Sequence, residues 1–172
     1  MTQELIDLRK SILEARYADA LAIVDELEGM SKQAILRNIQ SYLKILLIHL
    51  IKNQVEQRLT NSWVASIRNA ILEIKKLNVK DNQTSHYIDL GAWDTTIEDE
   101  IESAIRDASL EAFNGIYNEF QFTEMVDKAQ VIQTAQKLLA LTYPYSVKEL
   151  PAIVAENLTR LPGGEDWKAG RR

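Results

Sequence analysis

The residue with the greatest potential for chemistry is His49, because it is the one polar side chain within the apolar run Ile45–Ile51. A titratable group among apolar neighbours can have a shifted pKa, and shifted pKa values are typical of functional sites. We favour a plainer interpretation, in which a neighbouring helix satisfies the ring nitrogens. The residues that could complete a polar site with His49 are Glu26, Glu28, Lys52, Arg58, Ser62, Trp63 and Arg68.

Complete catalytic or metal-binding motifs do not occur in the sequence. It has no Cys, two His, no Glu-x-x-His pair, no glycine-rich phosphate-binding motif and no Gly-x-Ser-x-Gly, so each of these chemistries lacks its usual groups. Glu26 or Glu28 could join His49 as metal ligands only if the chain folds back on itself at Gly29. We therefore expect no catalytic residue, no cofactor and no metal.

Charge is distributed unevenly along the chain, although the net charge is only −5. Residues 1–31 carry three basic and seven acidic residues, residues 32–80 carry nine and two, and residues 81–172 carry eight and sixteen. The basic middle either packs beside the acidic helices or binds an anionic partner. Nucleic-acid binding is not expected, because it depends on clustered Lys and Arg and the pI is 5.1.

Apolar residues at spacings of three and four predict helices along nearly the whole chain. The helices of the first half of the chain end before a long connection at 78–94. A capping box at Thr95–Glu98 begins the helix that follows this connection. Gly29 is a candidate C-cap and Ser31 a candidate N-cap. The predicted helices cover 3–14 and 17–28, either as two helices or as one bent helix, and then 31–56, 62–77, 96–120, 123–142 and 147–158.

These elements predict an all-α, single-domain bundle of about six to seven helices. The helix at 31–56 is apolar nearly all round, so we place it at the centre of the bundle. The domain is expected to span 1–158, and 159–172, which contains Pro162-Gly-Gly164, to form a flexible tail. Trp93 and Trp167 lie in segments predicted to be irregular, where an exposed Trp would indicate an interface.

Three stretches carry a resemblance to a known bacterial family. They are Asp25–Ser31, Leu46–Lys52 with its single His, and Arg58–Trp63 with its Ser-Trp pair. With Tyr143–Ser146 they resemble the family called "domain of unknown function 29", which is common in cyanobacteria. The resemblance implies an all-helical, cytoplasmic protein and implies no activity.

The chain is therefore expected to be a non-enzymatic protein-interaction module, as a homodimer or with another protein partner. One alternative is an enzyme or small-ligand-binding module with a polar site around His49 and Arg58. A second is a binder of an anionic partner through residues 32–80. The run Ile45–Ile51 is short for a membrane span and residues 1–10 lack the apolar run of a signal peptide, so we predict a cytoplasmic protein with no membrane segment.

Overall fold

A computed structural model describes residues 2–171 and confirms the all-α fold. The described residues form eight α-helices and two short 3₁₀ helices, with a single isolated β-bridge between Val79 and His86. The 3₁₀ helices are Leu90–Ala92 and Ala112–Gly115. The α-helices are α1 (Gln3–Leu13), α2 (Tyr17–Glu56), α3 (Asn61–Asn78), α4 (Trp93–Glu111), α5 (Glu119–Met125), α6 (Lys128–Ala140), α7 (Leu150–Leu158) and α8 (Gly164–Lys168).

Helix α2 is one continuous element of 40 residues, so the predicted helix ends at Gly29 and Ser31 are wrong. Gly29 does not take the positive φ of a left-handed C-cap, and it stays within the helix. Glycine inside a helix costs only about 1 kcal/mol relative to alanine. Good helix formers on both sides outweigh that cost, so the hairpin that would have carried Glu26 and Glu28 to His49 does not form.

The chain divides into two compact units, of which the first ends at Asn38. It contains α1 and the beginning of α2, joined by a turn in which Ala15 has a φ of 59°. Arg16 closes the turn, donating to Glu14 at 2.8 Å and to Asp19 at 3.0 Å. Ser11 and Ala20 are the buried residues among the described part of this unit, so it has almost no core of its own.

The second unit begins at Ile39 and holds the apolar core. From there α2 presents a row of fully buried side chains, and each Leu or Ile buried in this way stabilises the fold by roughly 1.5–3 kcal/mol. Helix α3 packs against α7, and α4 packs against α5 and α6. The predicted apolar centre is thus formed by the later half of α2, through Ile39, Leu43, Leu46, Leu47, Leu50 and Ile51.

The connection at 78–94 is held by side-chain hydrogen bonds and ends earlier than predicted. The buried amide of Asn78 pairs with the backbone of Ile88, accepting at 2.7 Å and donating at 2.9 Å. Helix α4 begins at Trp93, so Thr95 lies inside the helix and does not cap it. Trp93 is buried, and its indole N–H donates to the Tyr143 hydroxyl at 2.7 Å. It is therefore a core residue and not an exposed aromatic of an irregular segment.

The helices predicted at 96–120 and 123–142 have different limits in the structure. Helix α4 ends at Glu111, after which Phe113 and Asn114 adopt φ values of 51° and 57°. Asn118 then forms a capping box with Gln121 and begins α5. The prediction failed because apolar spacing continues across this turn, and spacing alone carries no information about positive φ.

Helix α2 is long and apolar enough to cross a membrane by length and composition alone, with an 18-residue window of mean hydropathy 1.3. This is weak evidence, because the core helix of a soluble protein passes the same test. One third of that window is buried inside the protein.

Candidate functional site

The predicted polar residues that the structure brings together are centred on Trp63. Thr60 caps α3 by accepting a hydrogen bond from the Trp63 backbone N–H at 3.1 Å, which places the indole in the first helical turn. The Lys52 Nζ lies 4.7 Å from the centroid of the indole, and the Arg58 Cζ lies 4.6 Å from it. Two cations therefore stack on one nearly buried ring, and both contacts are attractive cation–π interactions.

Each of these cations also has a carboxylate partner. The Lys52 ammonium lies 3.3 Å from Glu111 on α4, and the Lys52 side chain is only one-tenth exposed. The Arg58 Nε donates to Glu56 at 3.1 Å. Lys44 contacts Asp107 on α4 at 2.7 Å in the same manner as Lys52. The Lys44 and Lys52 pairs join the basic middle of the chain to the acidic helix α4, as the first interpretation of the charge pattern expects, whereas the Arg58 pair lies within the middle itself.

His49 lies on α2 beside this cluster and is half-buried. Its Nδ1–H donates to the Ile45 carbonyl at 2.9 Å, which leaves Nε2 as the basic nitrogen. Burial lowers the pKa of His49, and the nearby Lys52 charge lowers it further, while the Ile45 carbonyl and Glu111 oppose the shift. The neutral ring is favoured, so the chemistry left to His49 is acceptance of a proton or hydrogen bond at Nε2.

The other predicted site residues do not join the cluster. Glu26 and Glu28 lie on α2 before Asn38, in the first unit. Ser62 is exposed in the first turn of α3, and Arg68 is half-buried further along the same helix. Within the part of the chain that the structure describes, no group of three His, Asp or Glu residues is placed to hold a metal ion.

Sequence reasoning missed the residue that fixes the turn between α2 and α3. Asn53 is buried, and its side-chain N–H₂ donates to the Arg58 carbonyl at 2.9 Å and to the Pro162 carbonyl at 2.8 Å. Its spacing from Leu46 and Leu50 puts it on the apolar stripe of α2, and a polar residue at such a position was the available signal.

The segment 159–172, predicted as a flexible tail, supplies part of this turn's surroundings. It contains α8, and the Trp167 indole N–H donates to Asn61 at 2.8 Å. Gly163 has a φ of 71°, and a Cβ there would lie 2.6 Å from the Arg58 Cα. Only glycine allows the two backbones to come this close. The interactions around Trp63 therefore hold helices and turns in place.

A family model described as "domain of unknown function DUF29" matches residues 3–133, which is more than half of the chain. The chain belongs to the DUF29 family. The resemblance inferred from Asp25–Ser31, Leu46–Lys52 and Arg58–Trp63 is thereby confirmed at the family level. Comparison of this DUF29 chain with curated proteins and with solved structures gives no significant match. The matched segment includes the Trp63 cluster and ends within α6, while α7 and α8 follow it.

Proposed function

We propose that this DUF29 chain is a helical interaction module that associates with a second copy of itself through the first unit. The observation that carries the proposal is the inverted burial of that unit, in which Ser11 and Ala20 are buried while large apolar side chains face solvent. Their exposed fractions run from 43% to 80%. They are Leu5, Ile6, Ile12, Leu13, Tyr17, Leu21, Val24 and Met30, which together we term the apolar surface.

The spacing of the apolar surface suits helix-to-helix packing. Tyr17, Leu21 and Val24 follow each other at four and three residues on α2, while Leu5 and Ile12 lie seven apart on α1. Residues at these spacings share one side of a helix. Two helices with exposed apolar sides are half of a four-helix bundle, and a second copy supplies the other half.

The extent of the apolar surface supports a stable partner. Eight large apolar side chains within residues 1–30 are each exposed by two-fifths or more, whereas monomeric proteins rarely expose large apolar patches. A second copy that covers these side chains would contribute to the roughly 800 Å² that each partner buries in a standard interface.

The charge of the first unit is compatible with a second copy as the occupant. Residues 1–38 carry five basic and seven acidic residues, so two copies of the first unit repel each other only weakly. An isologous two-fold contact sets the same patch of both copies against itself. Each copy then covers the apolar side chains of the other.

Sedimentation velocity of the full chain between about 1 and 100 µM tests the proposal. We expect a concentration-dependent dimer. The variant Leu13→Glu with Leu21→Glu places two buried charges in each half of the interface, so it should be monomeric at all these concentrations. Circular dichroism should show the same helix content for this variant as for the parent chain.

The matched control is Leu110→Glu, because Leu110 is 76% exposed in the second unit and Leu13 is 80% exposed in the first. It should dimerise like the parent chain. A monomeric parent chain, or equal loss of the dimer in the control, overturns the proposal. Binding of a monomeric chain to lipid vesicles also overturns it, since a membrane would then be the occupant in place of a second copy in the cytoplasm.

A further inference from the structure

The second unit contains a groove whose lining includes neither His49 nor Lys52. It has a volume of about 270 Å³ and is bordered by the end of α2, by α6, by α7 and by the chain at Leu161 and Pro162. Leu50, Val131 and Leu138 contribute buried apolar side chains to it. The groove therefore has an apolar floor.

The charged residues of the groove are all basic. Lys137 on α6 and Arg160 after α7 are its ionic lining residues, and no carboxylate lines it. Both are exposed, and neither forms an ion pair with another residue in the described range 2–171. Two unneutralised cations at one groove are notable in a chain of net charge −5, because a local positive field attracts anions.

Much of the neutral polar lining already has partners inside the protein. Gln54 donates to the Gln130 side chain at 3.0 Å, the Thr134 hydroxyl donates to the Gln130 carbonyl at 2.9 Å, and the Asn157 side chain donates to the Ile153 carbonyl at 2.8 Å. The cations are the groups left to meet a ligand. A ligand that matches this lining has one anionic group and an apolar body.

We infer that the groove binds a small amphiphilic anion, with its carboxylate at Lys137 and Arg160 and its apolar body along Leu50, Val131 and Leu138. The volume accommodates roughly nine non-hydrogen atoms, at about 30 Å³ for each water-sized group. That is the size of a medium-chain carboxylic acid. Lys137 and Arg160 follow the family-matched segment 3–133, so membership of the DUF29 family does not by itself imply this site.

Titration of the ¹⁵N-labelled full chain with octanoate, followed by NMR, tests the inference. Octanoate should shift the amide signals of Val131, Leu138 and Leu161 in a saturable manner. Octan-1-ol and octylammonium have the same apolar chain without the negative charge, so each should bind at least tenfold more weakly. The double variant Lys137→Gln with Arg160→Gln should weaken octanoate binding at least fivefold and leave octan-1-ol binding unchanged.

The matched control is Lys76→Gln with Lys148→Gln, which changes the net charge equally at exposed positions outside the groove. It should bind octanoate like the parent chain. Equal affinity for octanoate and octan-1-ol, an equal loss in the control, or shifts confined to the first unit would each overturn the inference. The NMR signals that are followed belong to the second unit, so the inference about the groove does not depend on whether the chain self-associates.

Discussion

The first and second units of this DUF29 chain use the same long helix in opposite ways. Before Asn38, α2 exposes Tyr17, Leu21 and Val24 and buries only Ala20. After Ile39 it buries a leucine or isoleucine on nearly every turn. Helical conformation is common to both parts, so the difference lies in what covers the apolar residues. A helix can therefore be continuous while the origin of its stability changes along its length.

Charged residues show the same contrast. In the first unit, Arg16 forms its ion pairs with Glu14 and Asp19 at the surface. In the second unit, the ammonium of Lys52 is nearly buried between Glu111 and the ring of Trp63. Surface pairs contribute about 0–1 kcal/mol, whereas Lys52 combines its contact with the half-exposed Glu111 with burial of its own side chain against the Trp63 ring. Electrostatics in the second unit thus fixes helix positions.

The largest expected effect comes from the same leucine-to-alanine substitution made in each unit of helix α2. Leu47→Ala removes a fully buried side chain and should lower the free energy of unfolding by about 2–5 kcal/mol. Leu21→Ala removes a side chain that is 63% exposed and should change it by about 0.5 kcal/mol or less. Urea denaturation near 1 µM, where self-association is weak, measures both. Equal losses would contradict the difference in burial.

The next effect tests how tightly the second unit is packed at the turn after α2. Gly163→Ala should cost at least about 2 kcal/mol, because its Cβ would meet the Arg58 backbone and its φ is positive. Gly170→Ala is the control, since Gly170 has a φ of 73° with no atom within 4 Å of a built Cβ. It should cost about 1 kcal/mol. Thermal unfolding of both variants gives the difference, and similar values would show that the close approach contributes nothing.

A glycine in the first unit should respond with the opposite sign. Gly29→Ala should raise the free energy of unfolding by about 0.5–1 kcal/mol, because Gly29 is inside α2 and a Cβ there meets no atom within 4 Å. Hydrogen exchange of peptides around residue 29 measures the local gain. Destabilisation would mean that the chain takes a left-handed turn at this position.

The smallest effect concerns the titration of His49. Burial lowers its pKa in the folded chain below the ordinary value of 6.5, so the unfolded chain binds the proton more strongly. Stability from this group is complete above pH 6.5 and decreases as the pH falls through the folded-state pKa. His49→Gln should flatten the pH dependence of unfolding in that window, while the parent chain retains it. A pH dependence unchanged by His49→Gln would argue against the lowered pKa.

Prediction from sequence worked where a single property decides the outcome. Apolar spacing located α3 and the buried half of α2, because burial on one side of a helix requires that spacing. It failed at Gly29, Thr95 and Phe113, where two local signals compete. Gly and Thr occur both as helix caps and inside helices, and only the packing of neighbouring residues selects between the two positions.

The candidate site was predicted in part for a similar reason. Lys52, Arg58 and Trp63 are close in sequence, so a short turn between α2 and α3 is enough to bring them together. Glu111 is 59 residues from Lys52, and Pro162 is 109 residues from Asn53. No local pattern identifies partners at such separations.

The sequence by itself determined the helical class, the family and the apolar centre, because hydrophobic spacing and short motifs are properties of neighbouring residues. Tertiary structure decided that α2 runs unbroken through Gly29, that Trp93 is buried, and that the first unit leaves its apolar residues uncovered. Those outcomes depend on which distant surfaces meet. The free energy gained when such surfaces pack together comes from the burial of apolar side chains, and burial is defined only in the folded chain.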